Sequence, residues 1–169
     1  ETASPAVHAN LSADDRAQLE AFLASDGPDQ LIEVGEDGAL RAVPLDKRYD
    51  EFWDVGLSQA EQRLLVPLVA LVRHQASEAA QRNEDFWIMD WGPGSARLVD
   101  ELLRQLEKEG ITNVRVVAAG HRPSVNWKNV HPRAGFICDT YKNFPRYFAP
   151  GAPFANVRFG LVIGLNALT

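Results

Sequence analysis

The sequence contains one cysteine, Cys138, so an internal disulfide framework is excluded. It contains no apolar run long enough to cross a membrane, and no signal peptide is visible at its start. Internal repeats and low-complexity blocks are also lacking. From these absences we expect a reducing, cytoplasmic setting and no membrane partner. Because the chain begins with Glu1 rather than Met, we expect a processed or excised piece of a longer protein.

Residues that bind metals or act as nucleophiles are few and poorly spaced. His121, His131 and Cys138 match no zinc-binding pattern, and no C-x-x-C pair is present. Cys138 follows the apolar pair Phe136 and Ile137, which indicates a buried thiol rather than a reactive thiolate. We therefore predict no metal site and no cysteine-based catalysis.

Acidic residues are scarce in the last part of the chain. Residues 121–169 hold 1 acid and 6 bases, whereas residues 1–50 hold 11 acids and 4 bases, and the whole chain has a net charge of −6. The bases alternate with aromatic residues, a pattern that can bind single-stranded nucleic acid. No recognised nucleic-acid module is present, and the acidic N-terminal part is the simpler electrostatic partner. Nucleic acid is therefore not the partner that we expect.

A chain of 169 residues has room for one domain with a small appendage. We predict an N-terminal appendage over residues 1–48 and a core over residues 49–169. Capping and turn signals predict the contents of the appendage. In chain order these are a disordered lead (Glu1–Asn10), a helix capped at Ser12, and a hairpin formed by Gln30–Val34 and Ala39–Val43.

The core begins with a cluster of aromatic residues, and a helix is predicted to follow it. Tyr49, Phe52 and Trp53 form an aromatic cluster, which we interpret as a hydrophobic plug between appendage and core. Ser58-x-x-Glu61 predicts a capping box that opens a helix, and Pro67 is expected to kink or break it. Residues 77–85 are predicted to be a polar connection.

The stretch FWIMDWGPGSAR, residues 86–97, predicts a buried strand, a tight turn and the start of a helix. The apolar run from Phe86 to Met89 is typical of a parallel strand buried on both faces, and Asp90 closes it. Gly92 and Gly94 allow backbone angles and close approaches that a Cβ would forbid. Such a turn presents free backbone N–H groups to a crevice at the carboxyl end of the strand. We predict that a small polar ligand binds there.

The residues from Asp90 to Ala96 resemble the first motif of the class I S-adenosylmethionine-dependent methyltransferases, in which an acid precedes a Gly-x-Gly-x-Gly turn. Alanine stands at the third glycine. As a dinucleotide-binding fingerprint the stretch fails, since Arg97 occupies the last glycine position and an acid precedes the turn. The later motifs of the family are resembled, in order, by Asn113–Ala119, Phe136–Asp139 and Phe159–Leu168.

The resemblance implies an α/β fold with a Rossmann-like parallel sheet and flanking helices, incomplete because the family has about three further strands. It implies S-adenosylmethionine as the cofactor, bound by Asp90, Gly92, Gly94 and Asp139, with Asp139 facing the adenine. His121, at the end of the second strand, is the candidate catalytic base. In the family, an aromatic segment at the place of residues 49–53 often covers the cofactor.

Two departures from the family pattern leave the chemistry open. Gly120 stands where the family has an acid that holds the ribose hydroxyls, and Gly160 stands where the family has Asp. The chain is therefore predicted to be a cofactor-binding methyltransferase-type domain acting on a small-molecule or carrier-bound acyl substrate. The alternative is an inactive pseudo-methyltransferase scaffold within a polyketide- or fatty-acid-synthase-like protein. A nucleic-acid-binding module is the third alternative. We expect a further domain, a second copy or the N-terminal hairpin to cover the edge of the last strand.

Overall fold

The computed structural model describes residues 3–26, 30–43 and 54–165. Its centre is a five-stranded sheet in which every pair of neighbours is parallel, in the order β1-β6-β5-β4-β7. A separate antiparallel hairpin pairs β2 with β3. The strands are β1 (Val7–His8), β2 (Leu31–Val34), β3 (Leu40–Val43), β4 (Phe86–Trp91), β5 (Val114–Gly120), β6 (Ala134–Cys138) and β7 (Phe159–Ile163).

Four α-helices and two 3₁₀ helices lie within the described ranges. The α-helices are α1 (Ala13–Ala24), α2 (Leu57–Leu64), α3 (Leu68–Gln81) and α4 (Arg97–Lys108), and the 3₁₀ helices span Val125–Asn129 and Tyr141–Phe148. Among these described segments, no helix has the length and apolar character needed to cross a membrane. The fold is α/β and consistent with a Rossmann-like sheet, as the sequence predicts.

The strand order places the glycine-rich turn at a topological switch point. From β4 the chain steps outward to β5 and then to β6, and it returns to pair β7 with the opposite edge of β4. In an open parallel sheet, a ligand crevice forms outside the carboxyl ends of the strands where the direction of winding reverses. The end of β4, and therefore the turn that follows it, lies at this position.

Each face of the sheet carries its own hydrophobic cluster. Phe86 and Ile88 of β4 pack with α1, α3 and α4 in the larger cluster, whereas Met89 packs with the smaller one. This alternation is the two-residue periodicity of a strand. The smaller cluster consists of Met89, Val117, Ala119, Ile137, Phe144, Tyr147 and Phe154. Both faces of β4 are thus covered, which explains why its sequence lacks polar residues before Asp90.

The N-terminal segment is more closely tied to the sheet than the sequence predicts. The expected disordered lead is wrong for Val7 and His8, because they form β1 and pair in parallel with Phe136 and Ile137 of β6. The backbone amide of Phe136 donates to the Ala6 carbonyl at 2.9 Å. The predicted hairpin is confirmed as β2 and β3. The division into residues 1–48 and 49–169 stays a prediction.

The helices before β4 differ from prediction at their ends. The cap of α2 is Gly56, two residues before the predicted Ser58, and the Gln59 side chain accepts a hydrogen bond from the Gly56 amide at 3.1 Å. The predicted break at Pro67 is confirmed, since α2 ends at Leu64 and α3 begins at Leu68. The predicted polar connection is wrong for residues 77–81, which continue α3. The aromatic cluster of residues 49–53 lies outside the described residues.

Candidate functional site

The turn after β4 adopts the backbone geometry that its glycines predict. Gly92 and Gly94 have φ values of 71° and 56°, in the left-handed region that favours glycine. Ala96, which caps α4, also lies there with a φ of 63°. A non-glycine residue in this region stores strain of about 1–3 kcal/mol, which the surrounding structure has to hold. The turn is therefore a tightly constrained junction between strand and helix.

Several main-chain amides of this turn have no hydrogen-bond partner among the residues that the structure describes. The Gly92 amide donates to Ala119 at 2.9 Å and the Ala96 amide to Pro93 at 2.8 Å. Within the described ranges, no residue accepts a hydrogen bond from the amides of Gly94, Ser95 or Arg97. Free amides at a helix N-terminus carry partial positive charge and bind anionic or hydrogen-bond-accepting groups.

Asp90 precedes this turn, near the carboxyl end of β4. It is only 5% exposed, and burial raises the pKa of its carboxyl group to about 7. No residue in the described part of the chain donates a hydrogen bond to its side chain or forms an ion pair with it. A buried carboxyl group without a partner is costly to ionise, so such groups mark functional sites more often than structural ones.

Trp127 holds the turn against the core. Its indole Nε1–H donates to the Gly94 carbonyl at 2.8 Å, and its fully buried ring stacks on Phe136 with the ring centroids 4.4 Å apart. Phe136 belongs to β6, so this contact links the turn to a strand two positions away in the sheet. The position of the Gly94 backbone thus depends on the packing of a core aromatic residue.

The segment before α2 is tied to the same turn. The Ser95 hydroxyl donates to an Asp54 carboxylate oxygen at 2.7 Å, and the Leu57 amide donates to Glu101 of α4 at 2.7 Å. Asp54 also lies 3.7 Å from the Arg97 guanidinium. These contacts hold residues 54–57, which follow the predicted aromatic cluster, beside the start of α4.

Asp139 follows β6 and is 1% exposed. Its Oδ1 accepts hydrogen bonds from the Thr140 amide at 2.7 Å and the Asn143 side chain at 2.9 Å, and its Oδ2 accepts from the Tyr147 hydroxyl at 2.7 Å. Burial, and then this hydrogen bond, raise the pKa of Tyr147, so the phenol stays a donor. The predicted contact between Asp139 and adenine stays a prediction, and it would have to coexist with these three bonds.

His121 lies just beyond β5, where the N-terminal hairpin meets the sheet. Its carbonyl accepts from the Val34 amide at 2.8 Å, and its Nε2 is 3.7 Å from Glu33. Burial, then the nearby Arg122, lower the pKa of His121, so the ring is neutral near pH 7. A neutral imidazole can accept a proton, as a general base must. Sequence reasoning did not identify Glu33, which also pairs with Arg41 at 2.8 Å and Arg122 at 2.7 Å.

The two glycines that depart from the family pattern are in crowded positions. A Cβ on Gly120 would lie 3.3 Å from Pro93 Cδ in the turn. A Cβ on Gly160 would overlap the Phe86 ring, with Cδ2 at 2.9 Å. Gly160 is the extra residue at an irregularity in the pairing of β4 with β7, where Trp87 faces Phe159 and Ile88 faces Leu161. Glycine at such a bulge lets a neighbouring side chain approach closely.

Gly160→Ala is therefore expected to destabilise the protein by about 1–3 kcal/mol, because the new methyl group and the Phe86 ring compete for one space. Chemical denaturation measures the loss. Gly120→Ala is the control for a milder steric contact. It is expected to lower the free energy of unfolding less, since its Cβ meets Pro93 at a tight but tolerable distance. An equal or smaller loss for Gly160→Ala would show that the Phe86 ring moves aside freely.

The remaining candidates have structural partners. Burial, and then Asp139, raise the pKa of the Cys138 thiol to about 12. His131 is 4% exposed, its Nδ1 accepts from the Arg133 amide at 3.2 Å, and its Nε2 is 3.1 Å from Glu107. Within the described ranges, no group of three or more acidic, histidine or cysteine side chains is arranged to hold a metal ion.

The basic and aromatic section does not present most of its rings to solvent. Trp127, Phe136, Phe144 and Tyr147 are each at most 6% exposed, whereas Tyr141 is 60% exposed. Bases stack on exposed rings, so these four residues would have to leave the core before they could contact nucleic acid. Their role in the structure is to cover the sheet.

Sequence reasoning did not assign Trp127 or Asp54 to the candidate site. Trp127 lies 33 positions from Gly94, and nothing in its sequence neighbours indicates a hydrogen bond between the two residues. Asp54 lies 41 positions from Ser95, so no local spacing links the pair.

Comparison of the chain with protein-family models, with curated proteins and with solved structures finds no match.

Proposed function

We propose that the crevice at the end of β4 binds a nucleoside of the S-adenosylmethionine type, and that the chain is a methyltransferase-type cofactor-binding domain of a larger enzyme. One observation carries the proposal. Asp90, a buried carboxyl group, precedes a turn that contains the Gly94, Ser95 and Arg97 amides, and among the described residues neither the carboxyl group nor these amides have a partner. A ligand that offers both donors and acceptors would satisfy both sets at once.

The charge pattern favours an amino-acid-bearing nucleoside over a dinucleotide. S-adenosylmethionine carries an ammonium group, which can donate to Asp90, together with a carboxylate and hydroxyl groups, which can accept from the amides. A dinucleotide presents a pyrophosphate at such a turn, and an ionised Asp90 would repel it. In methyl transfer the sulfonium itself activates the methyl group, so this chain's residues would mainly bind and align the donor. His121 is the residue that we propose as the base.

S-adenosylhomocysteine is expected to raise the melting temperature of the full chain. At one hundred times its Kd, a ligand stabilises the native state by about 2.7 kcal/mol, which corresponds to roughly 5–10 °C for a chain of this length. Gly94→Asp should abolish the shift, because a side chain and a negative charge would occupy the turn. Thermal denaturation with and without the ligand measures both results.

Gly110→Asp is the matched control for that experiment. Gly110 lies at the other end of α4 with a φ of 79°, and a Cβ there meets nothing within 4 Å. The variant therefore introduces the same charge and similar backbone strain away from the crevice, and it should keep the shift. No shift in the wild-type protein at saturating ligand would contradict the proposal.

The pH dependence of binding supplies a second readout. An ammonium group beside Asp90 favours the ionised carboxylate, whereas the free protein holds that carboxyl group protonated below a pKa of about 7. Affinity for S-adenosylhomocysteine should therefore rise about tenfold from pH 6 to pH 8. Asp90→Asn should bind more weakly and lose this dependence.

A second candidate function, an inactive scaffold, is favoured by the crowding around Gly120 and Gly160. The Phe86 ring fills the space beside Gly160, so that position has no room for the acid that the family carries there, and Gly120 lies close to Pro93 of the turn. A folded wild-type protein whose melting temperature does not change with S-adenosylhomocysteine would support this candidate.

If activity is retained, we propose either a small molecule or a carrier-bound acyl group as the methyl acceptor.

The exposed edge of the sheet is consistent with a covering partner. Within the described ranges, β7 pairs with β4 only, and Val162, its fourth residue, is 63% exposed. The N-terminal hairpin does not fill this role, because it forms a separate sheet that contacts the loop after β5. We propose that another domain or a second copy of the chain covers β7, since unpaired strand edges invite association.

A further inference from the structure

A cavity of about 280 Å³ lies at the opposite edge of the sheet from β7. It forms where β1 ends beside the 3₁₀ helix Tyr141–Phe148, three strand positions from β4, which is about 14 Å at the usual strand spacing. Drug-sized ligands occupy pockets of about 300–1,000 Å³, so this cavity suits a small group. Its lining includes His8, Arg16, Arg146 and Tyr147.

The charged groups that line the cavity are cationic. Arg16 and Arg146 contribute guanidinium groups, and none of the described lining residues is acidic. The positive charge of Arg16 contributes, after burial, to the lowered pKa of His8, and that of Arg146 acts on the Tyr147 phenol in the direction of a lower pKa. Both arginines therefore act electrostatically on groups in the cavity wall.

Two acids are hydrogen-bonded to residues of the lining. Glu20 accepts from Arg16 Nε at 3.1 Å, and Asp139 accepts from the Tyr147 hydroxyl at 2.7 Å. No described residue forms an ion pair or a hydrogen bond with the Arg146 side chain. Arg146 is thus a cation at the cavity that has no counterion in the described part of the chain.

The other walls are held in place before any ligand arrives. Arg16 Nη2 donates to the Val7 carbonyl at 3.1 Å, which fixes its guanidinium against β1. The His8 ring packs edge-on against Phe154, with centroids 5.2 Å apart. The Tyr147 carbonyl accepts from the Phe154 amide at 3.0 Å. Preorganised walls reduce the entropy lost when a ligand binds.

We propose that this cavity binds the oxyanion group, phosphate or carboxylate, of a small ligand between the guanidinium groups of Arg16 and Arg146. Guanidinium groups match the geometry of both oxyanions and can donate two parallel hydrogen bonds to either. The site is separate from the crevice after β4 and does not depend on the function proposed for that crevice.

Thermal denaturation of the full chain tests this site, with sodium chloride replaced by sodium phosphate or sodium succinate at constant ionic strength. At ten times its Kd, the bound oxyanion should raise the melting temperature by about 3–6 °C. Arg146→Gln should abolish the rise. Arg63→Gln, which removes an exposed arginine from α2, is the charge-matched control and should keep it.

The two oxyanions distinguish the sources of the ligand group. A rise with phosphate alone assigns a phosphate group, and a rise with succinate alone assigns a carboxylate; either result supports the site. A rise with neither, or an equal rise in Arg146→Gln, overturns it. Loss of the rise in Gly94→Asp also overturns it, because the anion would then be bound at the start of α4.

Discussion

Replacing Asp90 with Asn is expected to stabilise the protein, and to do so more strongly as the pH rises. Burial raises the pKa of Asp90 from 3.8 to about 7 in the folded state. Between these values the native state binds a proton that the unfolded state has released, so the free energy of unfolding falls as pH increases. At about 1.36 kcal/mol per unit, ionised Asp90 costs roughly 4 kcal/mol above pH 7.

The measurable quantity is the difference in unfolding free energy between Asp90→Asn and the wild type. Other titrating groups are shared by the two proteins and cancel, so the difference should widen by about 2–3 kcal/mol between pH 5 and pH 8. Urea denaturation across this range measures it. Asp14→Asn removes an exposed aspartate from the first turn of α1 and is the control. A difference that is the same at both pH values would mean that Asp90 is solvated or paired.

This expected gain in stability also distinguishes function from architecture. A buried carboxyl group that destabilises its own fold near neutral pH is poorly explained as a structural element. When a residue destabilises the folded protein, a role in binding or catalysis is the usual reason that it is present. If Asp90→Asn both stabilises the chain and weakens S-adenosylhomocysteine binding, the two results together assign Asp90 to the ligand.

The sequence predicted the central strand, turn and helix well because their signals are local. An unbroken apolar run predicts a strand buried on both faces, and β4 begins at Phe86 as expected but continues one residue past Asp90, to Trp91. Left-handed angles at Gly92 and Gly94 follow from the residue type. The end of α4 before Gly110 follows from the same preference. The three later strands were also predicted from their positions along the chain, and their membership of one parallel sheet is confirmed.

Features that depend on distant contacts could not be predicted in this way. β1 has only two residues, Val7 and His8, and it is a strand because β6 offers an unpaired edge. A pair of residues has no periodicity to detect. Likewise, the crowding at Gly160 depends on where the Phe86 ring lies, which is a property of the packed sheet. Tertiary packing, rather than local preference, determines these features.

Trp127→Ala is expected to cause the largest loss of stability, about 3–5 kcal/mol. The substitution empties a fully buried ring site, removes the stacking on Phe136 and leaves the Gly94 carbonyl without its donor. Because that carbonyl belongs to the turn, the loss should extend to the crevice, and S-adenosylhomocysteine should bind more weakly. Chemical denaturation and ligand titration measure the two effects.

Trp127→Phe separates the ring from its hydrogen bond. Phenylalanine keeps most of the apolar contact with Phe136 but cannot donate to Gly94, so we expect a smaller loss of about 1–3 kcal/mol. If the bond positions the turn, this variant should still lose ligand affinity while most of the stability is retained. Full affinity in Trp127→Phe would show that the glycine-rich turn holds its shape through its own backbone. That result would disprove the inference that the Trp127 side chain, which lies between β5 and β6 in the chain, positions the turn.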